Sequence, residues 1–381
     1  MRVMYVTPGL GGGGGAERSL ASMAPFWRDL ELEVVTFTSR DALVGALVEA
    51  GAGITRLPSG SYPQVVRSLR RTIKELQPDL IHSVLFDADI LARLAAPPGL
   101  PTSSSWVGMN YGRSQWSAPG RKRWKFATAQ LLDAGTAIRT NRFHAVSNEL
   151  ADVMSRRLGV SRSKVEVIPR GRSRAEVGYR SEDRKHAVRD RLGLDDQPLL
   201  VTAARHEWAK GLDVLIRAVP SIRREVPNLH VAVAGPFGEQ SSYLRKLAAV
   251  HDLDPDIVFL GQRNDVPDLL SAADVVCVPS RSEGCCNVMI EAMALGSPLV
   301  AAGIPALHEL DPARRWARFF APEDSDDLAY HILAALTEVD DKRSDNAVQQ
   351  FDRTFRSELV AARMVKFFQR AAGSSHGHHH A

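Results

Sequence analysis

From Arg2 onward the chain alternates short apolar runs with helical patterns, and after a polar interval it does so a second time. In the first half, "RVMYVTPGL" precedes the helical "AERSLASMAPFWRDL". Then come "LEVVTFTS", "ALVGALVEAG", "ITRLPS", "YPQVVRSLRRTIKELQ" and "PDLIHSV", and the alternation runs on to "VEVIPRG" near Gly171. Residues 172–197 are polar and read as a connection plus a surface helix. The second half opens with the strand "PLLVTAAR" and the helix "GLDVLIRAVPSIRREVP", and continues through "LHVAVAG", "DIVFLG", "DVVCVPS" and "SPLVAAG" with helices between them. Strands alternating with helices predict parallel βαβ units. Near-continuous apolar strands predict sheets covered on both faces. The expected fold is therefore α/β: two doubly wound, Rossmann-like domains facing across a cleft, spanning 1–171 and 172–353. Ligands of such sheets bind outside the carboxyl ends of the strands.

A length of 381 residues suits two domains, and 44% apolar content supplies two cores. A net charge of +4 gives no reason to expect nucleic acid as a partner. No apolar run reaches the roughly 18–20 residues of a membrane span, and the N-terminus is apolar too briefly for a signal peptide. A cytoplasmic location is expected. The three cysteines, Cys277, Cys285 and Cys286, suit a reducing compartment and lack zinc-site spacing, so no metal site is expected. The tail "GSSHGHHHA" reads as a tag remnant, and residues 372–381 are set aside.

Three stretches carry chemistry. "PGLGGGGGAERSL" places glycines 11–15 between a strand and a helix, where backbone N–H groups can approach an anion; the alternative is a plain flexible turn. It has neither dinucleotide-fingerprint spacing nor the G-K-[ST] of a P-loop, and "EVVTFTS" ends without a ribose-binding acid. "AARHEWAKGLDVLIRA" puts Arg205 and Lys210 at a strand–helix junction, as a diphosphate clamp or as two solvated charges. "RSEGCCNVMIEAM" sets Glu283 on a loop and Glu291 about one turn into a helix. A carboxylate accepts two hydrogen bonds at once, which suits vicinal hydroxyls of a ribose or hexose. The alternative is a helix-dipole acid plus a surface acid.

Taken in order, these blocks resemble the GT-B-fold glycosyltransferases of family 4, the group 1 type, over nearly the whole chain. "GGGGGAE" is similar to the family's G-G-A-E loop, "PDLIHSVLFDADILARLAA" to its D-(I/V)-H block, and "FHAVSNELADVM" and "VEVIPRG" to its A-V-S and I-P-N-G blocks. "AARHEWAKGLDVLIRA" is similar to the G-R…K-G block. "FLGQRNDVPDLLSAADVVCVPSRSEGCCNVMIEAMALGSPLVAA" is similar to the block with the E-x₇-E pair. The resemblance implies a retaining, metal-independent hexosyltransferase that needs no cofactor and takes a nucleotide sugar as donor. It implies that Arg205 and Lys210 hold the diphosphate, with Glu283 on the donor hexose and Glu291 on the ribose. Gly284, Cys285, Cys286, Asn287 and Val288 would offer backbone N–H groups. Gln262 and Arg263 would lie near the base, and Gly14 and Gly15 would close from the first domain. A UDP-sugar is favoured because relatives with an asparagine like Asn287 commonly use one. The alternatives are a GDP-mannose-dependent mannosyltransferase, a sugar-nucleotide epimerase, whose signatures are not evident, and a non-catalytic sugar-nucleotide-binding subunit.

Three departures stand out. "PTSSSWVGMNYG" lacks the histidine many members carry on a first-domain strand end, and His82 lies on an earlier strand. Cys285 replaces an aromatic. Arg170 replaces the asparagine of I-P-N-G; with Arg172 and Arg174 it either adds charge near the diphosphate or belongs to an exposed linker. The acceptor is expected on the first domain. There "SQWSAPGRKRWKFATAQLL" mixes Arg121, Lys122, Arg123 and Lys125 with Trp116, Trp124 and Phe126. That mixture suits an anionic membrane surface and a lipid-linked acceptor, or a solvated helix with buried aromatics. The last helix, 354–371, is amphipathic through Phe355, Leu359, Met364 and Phe367 and is expected to pack back on the first domain.

Overall fold

The structure is a computed structural model that describes residues 1–11, 14–112, 123–253, 256–338 and 340–373. Gly12, Gly13, Trp116, Arg121, Lys122 and the tail histidines lie outside the described residues. The chain divides into two compact units. One comprises Met1–Gly171 with the chain from Ser357 onward, and the other Arg172–Arg356.

The first unit holds a parallel sheet of seven described strands: β1 (Arg2–Val6), β2 (Glu31–Thr36), β3 (Gly53–Arg56), β4 (Leu80–Val84), β5 (Thr102–Trp106), β6 (Arg142–Ala145) and β7 (Val165–Val167). Their order is β3-β2-β1-β4-β5-β6-β7. Val3, Met4, Val34, Val35, Leu80 and Ile81 are buried and fill both faces of the sheet. One face is covered by the C-terminal helix Ser357–Gly373, which buries Val360, Ala361, Met364, Phe367 and Phe368. Trp27 donates its indole N–H to the carbonyl of Ala361 at 3.2 Å and meets the Phe368 ring edge-on at 5.5 Å. Each large apolar side chain so buried stabilises the unit by about 1.5–3 kcal/mol. The helix begins later than the sequence pattern suggests. Asp341–Thr354 forms a separate helix, and the break comes where Arg172 donates its backbone N–H to the Phe355 carbonyl at 2.8 Å and bridges Arg356. Leu359 falls on the half-exposed side of the final helix.

The second unit holds a parallel sheet of six described strands: β8 (Leu199–Ala203), β9 (His230–Ala234), β10 (Ile257–Gly261), β11 (Val275–Val278), β12 (Leu299–Ala302) and β13 (Ala317–Phe320). Their order is β10-β9-β8-β11-β12-β13. The chain winds outward from β8, returns to pair β11 with β8 through Val275↔Leu200 and Val276↔Val201, and winds outward on the other side. The reversal between β8 and β11 is a topological switch point, where loops leaving adjacent carboxyl ends diverge and open a crevice. Among the described residues, no helix is long and apolar enough to cross a membrane.

Candidate active site

The switch point brings together two loops that the sequence holds far apart. Arg281 and Ser282, after β11, donate backbone N–H groups to the Ala209 carbonyl at 2.9 and 3.3 Å. Gly211 closes the turn after Lys210 with φ +62°, and a Cβ there would stand 2.0 Å from the Pro279 carbonyl oxygen. Only glycine serves both needs. On this frame Lys210 Nζ reaches Glu283 Oε1 at 2.7 Å, and Ser280 Oγ donates to the same oxygen at 2.8 Å. Burial works against the Lys210 ammonium, but the Glu283 carboxylate outweighs it and holds the lysine above its ordinary pKa. Lys210 is therefore a fixed cation.

Arg281, a residue the sequence reading passed over, locks the two loops. Its guanidinium grips Asp213 at 2.7 and 2.9 Å and Glu323 at 2.6 and 2.8 Å, and lies 4.8 Å from the centre of the Trp208 ring. Burial pushes against the Asp213 carboxylate, yet Arg281 and Arg217 keep its pKa below the usual range. His206 was also missed. It is fully buried, its Nδ1 3.1 Å from Ser241 Oγ and its ring edge-on to Phe237 and Phe259, so it anchors the chain between Arg205 and Lys210.

The loop after β11 runs through Gly284, Cys285 and Cys286 into the helix Asn287–Leu295. Cys286 caps that helix in extended conformation, and the N–H groups of the first turn, from Asn287 and Val288 onward, have no partner within the helix. Burial, then the nearby Glu283, pushes the Cys286 thiol well above the ordinary cysteine range. Cys286 thus stays protonated and acts as a small packing residue. Asn287 Oδ1 is buried with no hydrogen-bond partner among the described residues. Glu291 is buried at 7% exposure, and Arg172 Nε meets its Oε1 at 2.7 Å. Arg174 donates to the Ala294 carbonyl at 2.6 Å and to Asp352 at 2.9 Å, its guanidinium 4.5 Å from the Phe351 ring centre. Arg172 is buried and Arg174 largely so, which rules out an exposed linker, and both hold the helix that carries Glu291.

Arg205 lies near enough to Lys210 for its charge to oppose the lysine's. Its side chain is 59% exposed and pairs with Glu207 at 2.7 Å. Arg263, after β10, is bound through two nitrogens to Asp265, with exposed Gln262 beside it. Gly14 and Gly15 belong to the first unit, where Gly14 caps the helix Gly15–Met23.

The first unit places a chain of buried polar groups across β4, β5 and β6. His144 Nε2 lies 2.8 Å from the Ile168 carbonyl and must donate to it. Its Nδ1 then accepts from Ser105 Oγ at 2.7 Å, Ser105 accepts from His82 Nε2 at 2.9 Å, and His82 Nδ1 accepts from Ser103 at 2.8 Å. Every link is satisfied with both rings neutral. His82 is fully buried, and Arg170 donates to the Val107 carbonyl at 2.9 Å.

A chain of two doubly wound parallel sheets, one with a cation–carboxylate pair and a helix start at its switch point, has the architecture of a GT-B nucleotide-sugar enzyme. The sequence comparisons agree. Residues 197–338 match the family model for group 1 glycosyl transferases, and residues 14–171 match the glycosyl transferase 4-like domain. The chain belongs to the group 1, or family 4, glycosyltransferases. It is 35% identical over 159 residues to D-inositol 3-phosphate glycosyltransferase of Salinispora arenicola, covering 38% of this chain and 36% of that one. It is 34% identical over 128 residues to the GDP-mannose-dependent alpha-(1-6)-phosphatidylinositol monomannoside mannosyltransferase of Mycolicibacterium smegmatis, covering 31% and 33%. The matched stretches thus span about a third of these relatives' own lengths. Among solved structures, Anabaena HepE in complex with UDP-glucose superposes with a TM-score of 0.84 at 21% identity, covering 97% of this chain and 100% of that one. That likeness shows the GT-B fold.

Proposed function

We propose that this chain is a retaining, metal-independent glycosyltransferase that moves a hexose or N-acetylhexosamine from a UDP-sugar to an acceptor hydroxyl, in polysaccharide, glycolipid or glycoconjugate synthesis. The reading rests on one observation: Lys210 and Glu283 are paired at the switch point, at the mouth of the helix that carries Glu291. Lys210 and Arg205 take the diphosphate and neutralise it as it leaves. The helix start adds its N–H groups, and the unpartnered Asn287 Oδ1 accepts from the sugar nucleotide. Glu283 receives donor-sugar hydroxyls and Glu291 the ribose. The anomeric C–O bond to the phosphate breaks, the new glycosidic bond forms on the same face, and the acceptor proton passes to the departing phosphate oxygen. The UDP and UDP-glucose complexes of Anabaena HepE support a uridine donor, and the mannosyltransferase relative keeps GDP-mannose as the alternative. Gly14, Gly15, Gln262 and Arg263 are assigned to donor closure and the base by resemblance alone.

The acceptor belongs to the first unit. A lipid-linked acceptor at an anionic membrane surface is supported by the helix Arg123–Ala137. Trp124 and Leu131 stand 65% and 72% exposed on it, with Lys125 near the Trp124 ring, while Phe126 packs on Tyr111. Incubation with a panel of sugar nucleotides tests the whole proposal. Slow release of free nucleotide from one donor supports an enzyme. Binding without turnover, even with a cell lipid extract, supports a non-catalytic partner subunit instead.

A further inference from the structure

We infer that Arg172 is the positioning residue for Glu291: it presets the carboxylate for the ribose hydroxyls and ties it to the segment where the chain passes from one unit to the other. The inference rests on the assignment of Glu291 to the ribose made above.

Arg172 starts from a fixed backbone. Its N–H donates to the Phe355 carbonyl at 2.8 Å, and it forms an isolated parallel bridge with Arg356. The preceding Gly171 has no room for a side chain, since a Cβ there would lie 2.9 Å from Ser357 Cα. From that anchor the side chain, itself 97% buried by its 3% exposure, delivers Nε to Glu291 Oε1 at 2.7 Å. A carboxylate offers about four acceptor positions, so one arginine bond leaves places for two vicinal hydroxyls. The cation also holds the acid in place: a buried carboxylate stripped of its partner turns away toward water, and the ribose then loses a charge-assisted acceptor. Arg174 fixes the same helix one turn further along, through the Ala294 carbonyl, so the carboxylate's orientation follows from the connecting segment at two points. Nothing in the resemblance of "VEVIPRG" to the I-P-N-G block asks for this arginine; the geometry does.

The test is a cycle between the arginine and the ribose. Binding of whichever of UDP and GDP the wild type holds more tightly is measured by calorimetry, beside its 2′,3′-dideoxy analogue. The wild type is expected to lose upward of about tenfold when the hydroxyls are removed. Arg172→Met is expected to bind the ribonucleotide about tenfold more weakly and the dideoxy analogue unchanged. Arg172→Lys, whose ammonium extends one bond beyond the Nε position, should recover most of the difference. If Arg172→Met weakens both nucleotides equally, or neither, the residue is merely structural and the inference fails. Should Arg172→Met melt too low to bind, Arg172→Gln, which also removes the charge, carries the test in its place. A loss confined to the ribonucleotide sustains the inference, and equal losses or no change overturn it. A wild type indifferent to the hydroxyls sinks the ribose assignment itself, which is a separate result.

Discussion

Lys210 Nζ and Glu283 Oε1 stand 2.7 Å apart across 73 residues of sequence. They meet because β8 and β11 are neighbours, and because Gly211 lets the Lys210 turn lie against the Pro279 carbonyl. The pair gives the site a permanent cation whose position does not depend on the ligand.

Replacing that cation should affect both turnover and folding. Lys210→Met is expected to lower kcat with the preferred donor by about 10²–10³, the usual consequence of losing one preorganised charge at a developing anion. The melting temperature should also fall, because Glu283 is left buried with Ser280 as its donor in place of a cation. Steady-state kinetics with a calorimetric melt checks both; an unchanged kcat would remove Lys210 from the chemistry.

Gly211→Ala should be far more damaging than its chemistry suggests. The residue would adopt φ +62° with its Cβ 2.0 Å from a carbonyl oxygen. A cost upward of about 2 kcal/mol is expected, together with weaker nucleotide binding as the two loops separate. Denaturant titration is the check, and a stability within error of wild type would contradict the packing described.

The first unit should be acid-sensitive. Burial lowers the His144 pKa from about 6.5 to about 4, the Ile168 carbonyl bond offsetting part of that shift, and burial holds His82 well below its ordinary value. In the unfolded chain these rings take up protons as pH falls through 6.5, whereas in the folded chain they remain neutral. The stability present above 6.5 is therefore lost progressively down to about 4, by about 3 kcal/mol for His144 alone. Denaturant titrations at pH 7.5 and 4.5 should show the loss, and His144→Gln should flatten it; equal slopes in the two proteins would refute it.

Membrane contact predicts salt-sensitive co-sedimentation with vesicles containing anionic lipid. Binding should fall on raising salt and in the Trp124→Ala variant, and further with Arg121 and Lys122 neutralised. Binding that ignores all three changes reduces the patch to ordinary surface.

Much of this was legible in the sequence because it is periodic or tightly spaced. Apolar strands such as "LLVTA" and "VVCV" carry the doubly wound pattern, and the spacing of Glu283 and Glu291 places one acid on a loop and one in a helix. What stayed hidden depends on pairings between distant residues. β5 reads "TSSSW", a polar run that hydrophobic patterning does not mark as a strand. It is nonetheless fully buried, because its hydroxyls find His82, Ser83 and Arg93. Arg93 looks like a solvent-facing helix residue, yet it is 1% exposed and bound to Asp133 at 2.6 Å. Arg172 and Arg281 sit in charged stretches that resemble loops until the fold supplies Glu291 and Asp213. A charge has no sequence signature that separates a solvated one from a buried, paired one.

The most direct measurement is a crystal structure of the chain with UDP or GDP bound. The account places the diphosphate against Lys210 and the first turn of the Asn287–Leu295 helix, with the ribose hydroxyls on Glu291. A nucleotide seated elsewhere, with Lys210 and Glu291 untouched, would contradict it.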